Sequence, residues 1–269
     1  MKITSWNVNS IKARGPHVER FLKETAPDVL MAQELKGIDF PAESFEALGY
    51  KTYAVTQKAY NGVAIFSKQP ITVIASALPL LNEDDTEDEQ ARFIDFETTS
   101  AAGAKLRLIN IYMPNGNPTE NEDGSLHDKY TYKLKWMDRL HAYLADLRAQ
   151  NIPFAIGGDF NVIPEDKDCY DPNAWRGDAL FRAETHAKYQ AFINLGLYDA
   201  FRIHNNEAGH YSFWDYQAGA WQKDNGIRID HFLLSPELTD TMISCAIDKE
   251  PRGWERPSDH TPITVTLNI

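Results

Sequence analysis

The chain has 269 residues, 43% of them hydrophobic, with 13 Phe, 12 Tyr and 6 Trp, which excludes a disordered polar chain and supplies one substantial core. Two cysteines without metal-type spacing exclude a disulfide framework, the N-terminus lacks the apolar stretch of a secretion signal, and no apolar run approaches the roughly 20 residues of a membrane span, so a cytoplasmic protein is expected. The net charge of −12 argues against broad attraction to polyanions, although six of the acids fall in residues 83–89, which read as a solvated loop without a functional role.

In chain order, residues 2–8 read as a strand. Residues 15–25 read as a helix, with Pro16 in its first turn and Val18, Phe21 and Leu22 on one face. A short buried strand follows at 28–33. Strands at 52–56, 62–67, 71–77, 92–98 and 105–112 suggest a meander. The longest helix is expected at 128–150, with Leu134, Met137, Leu140, Leu144 and Leu147 on one stripe and Pro153 beyond its end. Then come a strand at 153–158, a helix near 184–195 closed by Gly196, and strands at 211–215, 227–234 and 262–268. No Gly/Ser or Pro-rich linker interrupts the pattern, so a single domain over 1–269 is expected, built from packed sheets with helices outside. The pair I-T-S-W-N and V-L-M-A-Q-E echoes the later pair F-A-I-G-G-D-F-N and I-D-H-F-L-L-S, which suggests pseudo-symmetric halves.

Polar groups sit at the ends of these apolar runs, where burial is costly unless they are paired or bind something. Glu34 follows V-L-M-A-Q. It suits a hard cation such as magnesium, which needs few protein carboxylates, and equally suits an ion pair with Lys36. Asn7 ends I-T-S-W as a capping amide or as a metal or phosphate contact. In G-G-D-F-N, Asp159 and Asn161 are two apart and project to one side of an extended segment. The carboxylate can align and deprotonate a water and the amide can steady a phosphate oxygen, although Gly-Gly-Asp is also ordinary turn chemistry. In P-S-D-H, His260 needs a carboxylate other than its neighbour Asp259. Asp230, ending I-R-I-D, is the candidate, which leaves Asp259 free for a metal; a structural Asp–His pair is the bland alternative. Tyr112 can donate to a phosphate oxygen and Asn115 can touch a substrate backbone. Phe213 and Trp214 in Y-S-F-W-D-Y are core aromatics or a flat wall for a sugar or nucleotide.

Read together, W-N-V-N, Q-E-L-K, N-I-Y-M-P-N-G, G-G-D-F-N-V, S-F-W-D-Y, I-R-I-D-H-F-L-L-S and P-S-D-H-T-P-I resemble the exonuclease III family of AP endonucleases, in that family's order from residue 5 to residue 263. The wider superfamily of endonucleases, exonucleases and phosphatases shares the Glu, Asp-x-Asn and Asp-His elements. The resemblance implies an α/β fold of four layers, two mixed sheets face to face with helices outside. It implies a Mg2+-dependent DNA-repair nuclease, with Mn2+ as a substitute. Such an enzyme cuts duplex DNA 5′ to abasic sites and has 3′-to-5′ exonuclease and 3′-phosphatase activity. By motif position, Glu34 looks like the principal metal ligand, with Asn7, Asp159, Asn161 and Asp259 near the metal. Asp159 looks like the residue that activates water, Asn161 and Tyr112 like transition-state contacts, and His260, oriented by Asp230, like a phosphate ligand. Phe213 and Trp214 match the pocket for a base-free sugar.

Two positions depart from the pattern. Leu35 stands where the family usually has threonine, and the stretch after Asn161 is similar to the bacterial exonuclease III branch, lacking A-H-x-x-I-D-L. Because the chain is acidic, DNA binding is expected from local cations, with Lys36, Lys58, Lys129, Lys133, Arg176, Lys223 and Arg228 as candidates. A monomer acting on duplex DNA with abasic sites or 3′ ends, without a membrane, is expected. A phosphoesterase of the superfamily acting on a substrate other than nucleic acid, and a catalytically silent DNA-binding protein, are the alternatives.

Overall fold

A computed structural model of the chain describes residues 1–81 and 88–269; most of the acidic stretch 83–89 lies outside the described residues. The elements in order are β1 (Lys2–Asn7), α1 (Ile11–Thr25), β2 (Val29–Gln33), α2 (Ala42–Glu46), β3 (Lys51–Val55), β4 (Val63–Ser67), β5 (Thr72–Ala75), β6 (Phe93–Thr99) and β7 (Lys105–Tyr112). They continue with α3 (Asp128–Ala149), β8 (Phe154–Asp159), α4 (Pro172–Trp175), α5 (Ala183–Asn194), β9 (Tyr198–Asp199), α6 (Ala200–His204), β10 (Asp230–Leu234), α7 (Pro236–Thr239), β11 (Met242–Ile247) and β12 (Ile263–Leu267).

Among the described residues two six-stranded mixed sheets form, ordered β11-β12-β1-β2-β4-β3 and β5-β6-β7-β8-β10-β9. Each holds one parallel pair, β1 with β2 and β7 with β8, and a helix crosses over within each pair: α1 in the first, α3 in the second. The internal echo is therefore present, but it joins β1–β2 to β7–β8 rather than to β8 and β10. Alternating side chains divide the core into three layers. Ile3, Met31, Ile65, Phe96, Leu108, Phe232 and Val265 fill the space between the sheets. Trp6, Leu30 and Phe66 turn outward onto Val18, Phe21 and Leu22 of α1. Ile109, Phe154 and Ile156 pack under Trp136, Met137, Leu140 and Leu144 of α3. The expected four-layer sandwich is what forms.

Several boundaries differ from the sequence pattern. Helix α1 starts at Ile11 because the Ser10 hydroxyl caps it, accepting from the Ala13 N–H at 3.3 Å, so Pro16 lies inside the helix. Residues 211–215 form isolated bridges from Phe213 to Ile227 and His260, not a strand, and the strand within 227–234 begins at Asp230. Edge strand β11 was not expected, since M-I-S-C-A-I shows only a partly buried alternation. Leu134 is half-buried and packs against a separate cluster that includes Ile163, Phe181 and Ile229 rather than joining the α3 stripe.

Gly157 and Gly158 in β8 admit the close approach of neighbouring elements. A Cβ at Gly157 would lie 2.4 Å from Phe232 Cε1, and one at Gly158 would lie 2.0 Å from the Ile111 carbonyl oxygen. Gly158→Ala is expected to lower stability by about 3 kcal/mol or more, read as a fall in the urea midpoint. An unchanged midpoint would contradict this packing.

Candidate active site

The parallel pairs place the carboxyl ends of β1, β2, β7 and β8 at one edge of the sandwich. The antiparallel neighbours β10 and β12 bring their amino ends to the same edge. Register does the rest: Tyr112 and Asp230 both lie opposite Asp159, and Asn7 lies opposite Gln33, which precedes Glu34. The polar ends of six segments therefore meet around a cleft of about 300 Å3, lined among others by Glu34, Tyr112, Asn115, Asp159, Asn161, Phe213, Asp259 and His260.

Asp159 is 2% exposed, and its charge is met by donors from both sheets. Its Oδ2 accepts from Asn7 Nδ2 at 2.9 Å and its Oδ1 from the Asn161 backbone N–H at 2.9 Å. His260 Nε2 lies 3.7 Å from Asp159 Oδ2, while its Nδ1 bonds Asp230 Oδ2 at 2.8 Å. The P-S-D-H loop is fixed by Ser258, whose hydroxyl donates to the Asn7 carbonyl at 2.7 Å, and by Trp6 Nε1, which donates to the His260 carbonyl at 3.2 Å. The Phe213 ring stands edge-on to His260 with centroids 4.9 Å apart.

Charge couples these groups. Burial would lower the His260 pKa, but the attraction of Asp230 and then Asp159 outweighs it and lifts the imidazole to about 10. Burial raises Asp159 to about 7, with the His260 cation opposing and Asp230 reinforcing the shift. Burial, then the negative charges of Glu34 and Asp159, push the Tyr112 phenol well above its ordinary value, so it stays a hydrogen-bond donor.

Glu34 turns into the cleft because the chain leaves β2 in a left-handed conformation, with φ of 62° at Glu34 and 53° at Lys36. Neighbouring loops hold that turn: the Glu34 carbonyl accepts from Ser10 N, Leu35 N donates to the Gly62 carbonyl, and Lys36 N donates to the Asn61 carbonyl. Leu35 is 0% exposed and packs against Gly62, so an apolar wall stands beside the carboxylate. Glu34 Oε1 pairs with Lys36 Nζ at 2.9 Å, which is the bland expectation for this pair. Asn9, not singled out in the sequence, is a hub: its Nδ2 donates to Asp259 Oδ1 at 2.8 Å and its Oδ1 accepts from Lys36 Nζ at 2.5 Å.

The oxygen donors Glu34 and Asp259, with the amide of Asn161, suit a hard divalent cation. A second set, Asp159, Asp230 and His260, has ligand atoms within 4.8 Å of one another and could hold an ion as well. Asn7 braces Asp159 in this arrangement. It is 0% exposed, its amide nitrogen is given to Asp159, and its Oδ1 accepts from Asn9 N at 3.0 Å.

Other expected contacts are also corrected. Trp214 is 0% exposed; its Nε1 donates to Asp224 Oδ1 at 2.9 Å and its ring packs on Trp221, so only Phe213 of the pair reaches the cleft. Arg228 is 0% exposed and is consumed by Asp168 (2.6 Å) and Asp199 (2.9 Å), so it cannot meet a substrate. Lys133 is 0% exposed as well. Lys58, Lys129, Arg176 and Lys223 are exposed, and Lys129 lines a groove of about 630 Å3 with Gln57, Tyr60 and Arg92 that shares Tyr112 and Asn115 with the cleft. The apolar wall includes Trp175, Leu180, Ile227 and Ile229, which the sequence reading missed. The two-residue spacing of Ile227 and Ile229 on either side of Arg228 was the available signal. A larger groove of about 900 Å3 runs along α5 and α6. Its charged residues Glu165, Asp199 and Arg202 are already paired with Lys167, Arg228 and Asp168, so it lacks convergent free chemistry.

Comparison with known proteins gives the same direction. The model of the endonuclease/exonuclease/phosphatase family matches residues 4–260. The chain is 35% identical over 272 residues to exodeoxyribonuclease III of Haemophilus influenzae, covering 98% of each. It is similar to the 3′ phosphatase NExo from Neisseria bound to a product DNA hairpin, at 34% identity and a TM-score of 0.89 with 100% of both chains covered. An AP endonuclease from Archaeoglobus fulgidus matches at 33% identity and a TM-score of 0.87, again over 100% of both chains.

The His260 shift fixes a sign. Its folded pKa lies above the unfolded value of 6.5, so its contribution to stability is complete below pH 6.5 and is lost as pH rises toward about 10. In the metal-free protein, the His260 imidazole is expected to remain protonated at pH 8 by NMR, and Asp230→Asn is expected to lower its midpoint by more than about one unit. A wild-type midpoint near 6.5, or one unmoved by the substitution, would contradict the pairing.

Proposed function

The chain belongs to the endonuclease/exonuclease/phosphatase family, and on that footing we propose a Mg2+-dependent DNA-repair phosphodiesterase. It cuts duplex DNA on the 5′ side of abasic sites and also removes nucleotides and phosphate from 3′ ends. The observation that carries this reading is the convergence of Asp159, Asn161, Glu34, Asp259 and His260 on one cleft whose other wall is apolar. The acids and amides suit a cation and a phosphate. The wall of Phe213, Trp175, Leu180, Ile227 and Ile229 suits a sugar that has lost its base, and abasic DNA is cheaper to extrude than a paired nucleotide. We read the chain as one catalytic domain acting as a monomer in the cytoplasm; among the described residues no helix is long and apolar enough to cross a membrane.

Glu34 and Asp259 are proposed to hold the divalent cation, with the Asn161 amide beside it. When bound, the cation offsets negative charge on the phosphate oxygens. Asp159 orients a water in line with the scissile bond and accepts its proton as the water oxygen bonds to phosphorus. The bond from phosphorus to the 3′-oxygen breaks, and that oxygen is reprotonated from water in the cleft to give a 3′-hydroxyl. Charge on the non-bridging oxygens is met by the His260 imidazolium, the Tyr112 phenol and the Asn161 amide. Asn7 and Asp230 act behind these groups, Asn7 by holding Asp159 and Asp230 by orienting His260. Net charge does not help binding, so the duplex must rely on cations near the cleft, of which the exposed Lys129 and the half-buried Arg92 line the adjoining groove.

Asp159→Ala is expected to lower the nicking rate on abasic duplex by roughly 100- to 10,000-fold while leaving duplex affinity nearly unchanged. A variant that nicks at near wild-type rate would remove Asp159 from this role. Glu34→Ala is expected to move the magnesium titration of activity to higher concentration, and an unmoved titration would argue against its role. Side-by-side assays on abasic, intact and 3′-recessed duplexes test the substrate assignment: equal treatment of abasic and intact DNA would overturn it.

A further inference from the structure

Lys133 is a charged residue that the proposed chemistry does not use, yet it lies directly beneath the site. It projects from α3 and is 0% exposed, which is rare for lysine unless its ammonium is satisfied. Its Nζ donates to the backbone carbonyls of Asn115 (3.1 Å) and Asn161 (2.6 Å). These carbonyls belong to the two loops that leave β7 and β8. The side chains of the same residues also meet, Asn115 Nδ2 donating to Asn161 Oδ1 at 3.2 Å. The Lys133 stem runs so close to Gly116, where φ is 93°, that a Cβ there would lie 2.7 Å from Lys133 Cδ.

The next carbonyl along is gripped from the other side. His231 Nε2 bonds the Val162 carbonyl at 2.9 Å, and His231 Nδ1 faces Arg228 Nη1 at 3.0 Å. Arginine can only donate, so Nδ1 is the acceptor and Nε2 carries the hydrogen that it donates to the Val162 carbonyl. Arg228 is in turn locked by Asp168 and Asp199. Asn161 has a φ of 47°, in the left-handed region that asparagine tolerates better than most residues with a side chain. Two buried donors on consecutive carbonyls hold the chain there. Packing alone would be served better by an apolar side chain, because burying an ammonium is costly; what a lysine adds is two donors aimed at the two loops.

We propose that Lys133, seconded by His231, is a positioning residue that sets the Asn161 amide for phosphate contact without touching the substrate. The inference rests on the proposed function only in taking Asn161 as that contact.

The test is a double-mutant cycle of Lys133→Met with Asn161→Ala, read as single-turnover rates at a temperature where all variants are folded. Lys133→Met is expected to lower the rate constant roughly 10- to 100-fold with KM changed less than about threefold, and Lys133→Arg to recover most of the loss. In the Asn161→Ala background the same substitution is expected to cost less than about threefold, because the side chain it positions is gone. A full loss in that background, or a folded Lys133→Met enzyme with wild-type rate, would overturn the proposal and leave Lys133 a role in stability alone. If Lys133→Met does not fold, Lys133→Gln, which keeps a shorter, uncharged donor nitrogen, goes through the same cycle against the same two outcomes. Running the cycle on bis(p-nitrophenyl) phosphate as well as on abasic duplex separates the two readings. A wild-type chain that hydrolyses the ester but not the duplex counts against the DNA assignment, and the cycle on the ester still decides the role of Lys133.

Discussion

A buried hydrogen bond between the two sheets, from Asn7 Nδ2 on β1 to Asp159 Oδ2 on β8 at 2.9 Å, is the contact on which the rest of this site depends. A carboxylate with 2% exposure is tolerable only when donors meet it, and here one donor comes from each half of the sandwich. The bond therefore fixes how the two sheet ends face each other. A second tie between the halves runs from the loop before β12 to β10, through His260 and Asp230. Below them Gln33 Nε2 donates to Asn110 Oδ1 at 2.8 Å, and Asn110 Nδ2 donates to the carbonyls of Ala32 and Ala64, so the polar contact continues into the interior between the sheets. Sheet packing alone is apolar and would tolerate some sliding; these directional bonds do not.

The same arrangement explains how an acidic protein can serve a polyanionic substrate. Several of its carboxylates are met locally: Glu34 by the Lys36 ammonium, Asp159 by the His260 imidazolium and a hydrogen bond from Asn7, Asp168 and Asp199 by Arg228. Phosphate would meet a protonated imidazole, a phenol and an amide, with Glu34 and Asp259 turned to the cation they are proposed to hold. The formal charge of −12 is thus a poor guide to the potential inside the cleft.

Much of the site was legible in the sequence because its residues occupy strand ends, where an apolar run stops abruptly at a polar side chain. Glu34, Asp159, Asn161, Asp259 and His260 were found that way, and the Asp230–His260 pairing followed from the inability of neighbours such as Asp259 and His260 to bond each other. The layered fold followed from alternating strand and helix patterns. What failed were assignments that needed the direction of a side chain off a regular strand. Arg228, Trp214 and Lys133 lie near the motifs and are chemically suited to DNA, but they point into the protein, where Asp168, Asp224 and two backbone carbonyls claim them. The alternation Ile227–Arg228–Ile229 separates two faces, but it does not say which face turns to the cleft, because residues 227–229 lie outside the ladder of β10. Asn9 was missed because its partners Lys36 and Asp259 are 27 and 250 residues away.

The central claim is that strand ends from both sheets build one site that grips a cation on its Glu34 side while Asp159 stays free to take a proton. Anomalous diffraction from crystals soaked in Mn2+ tests it most directly. The account predicts a manganese peak bonded to Glu34, with Lys36 displaced from that carboxylate. A peak held by Asp159, Asp230 and His260, with Glu34 still paired to Lys36, would contradict it.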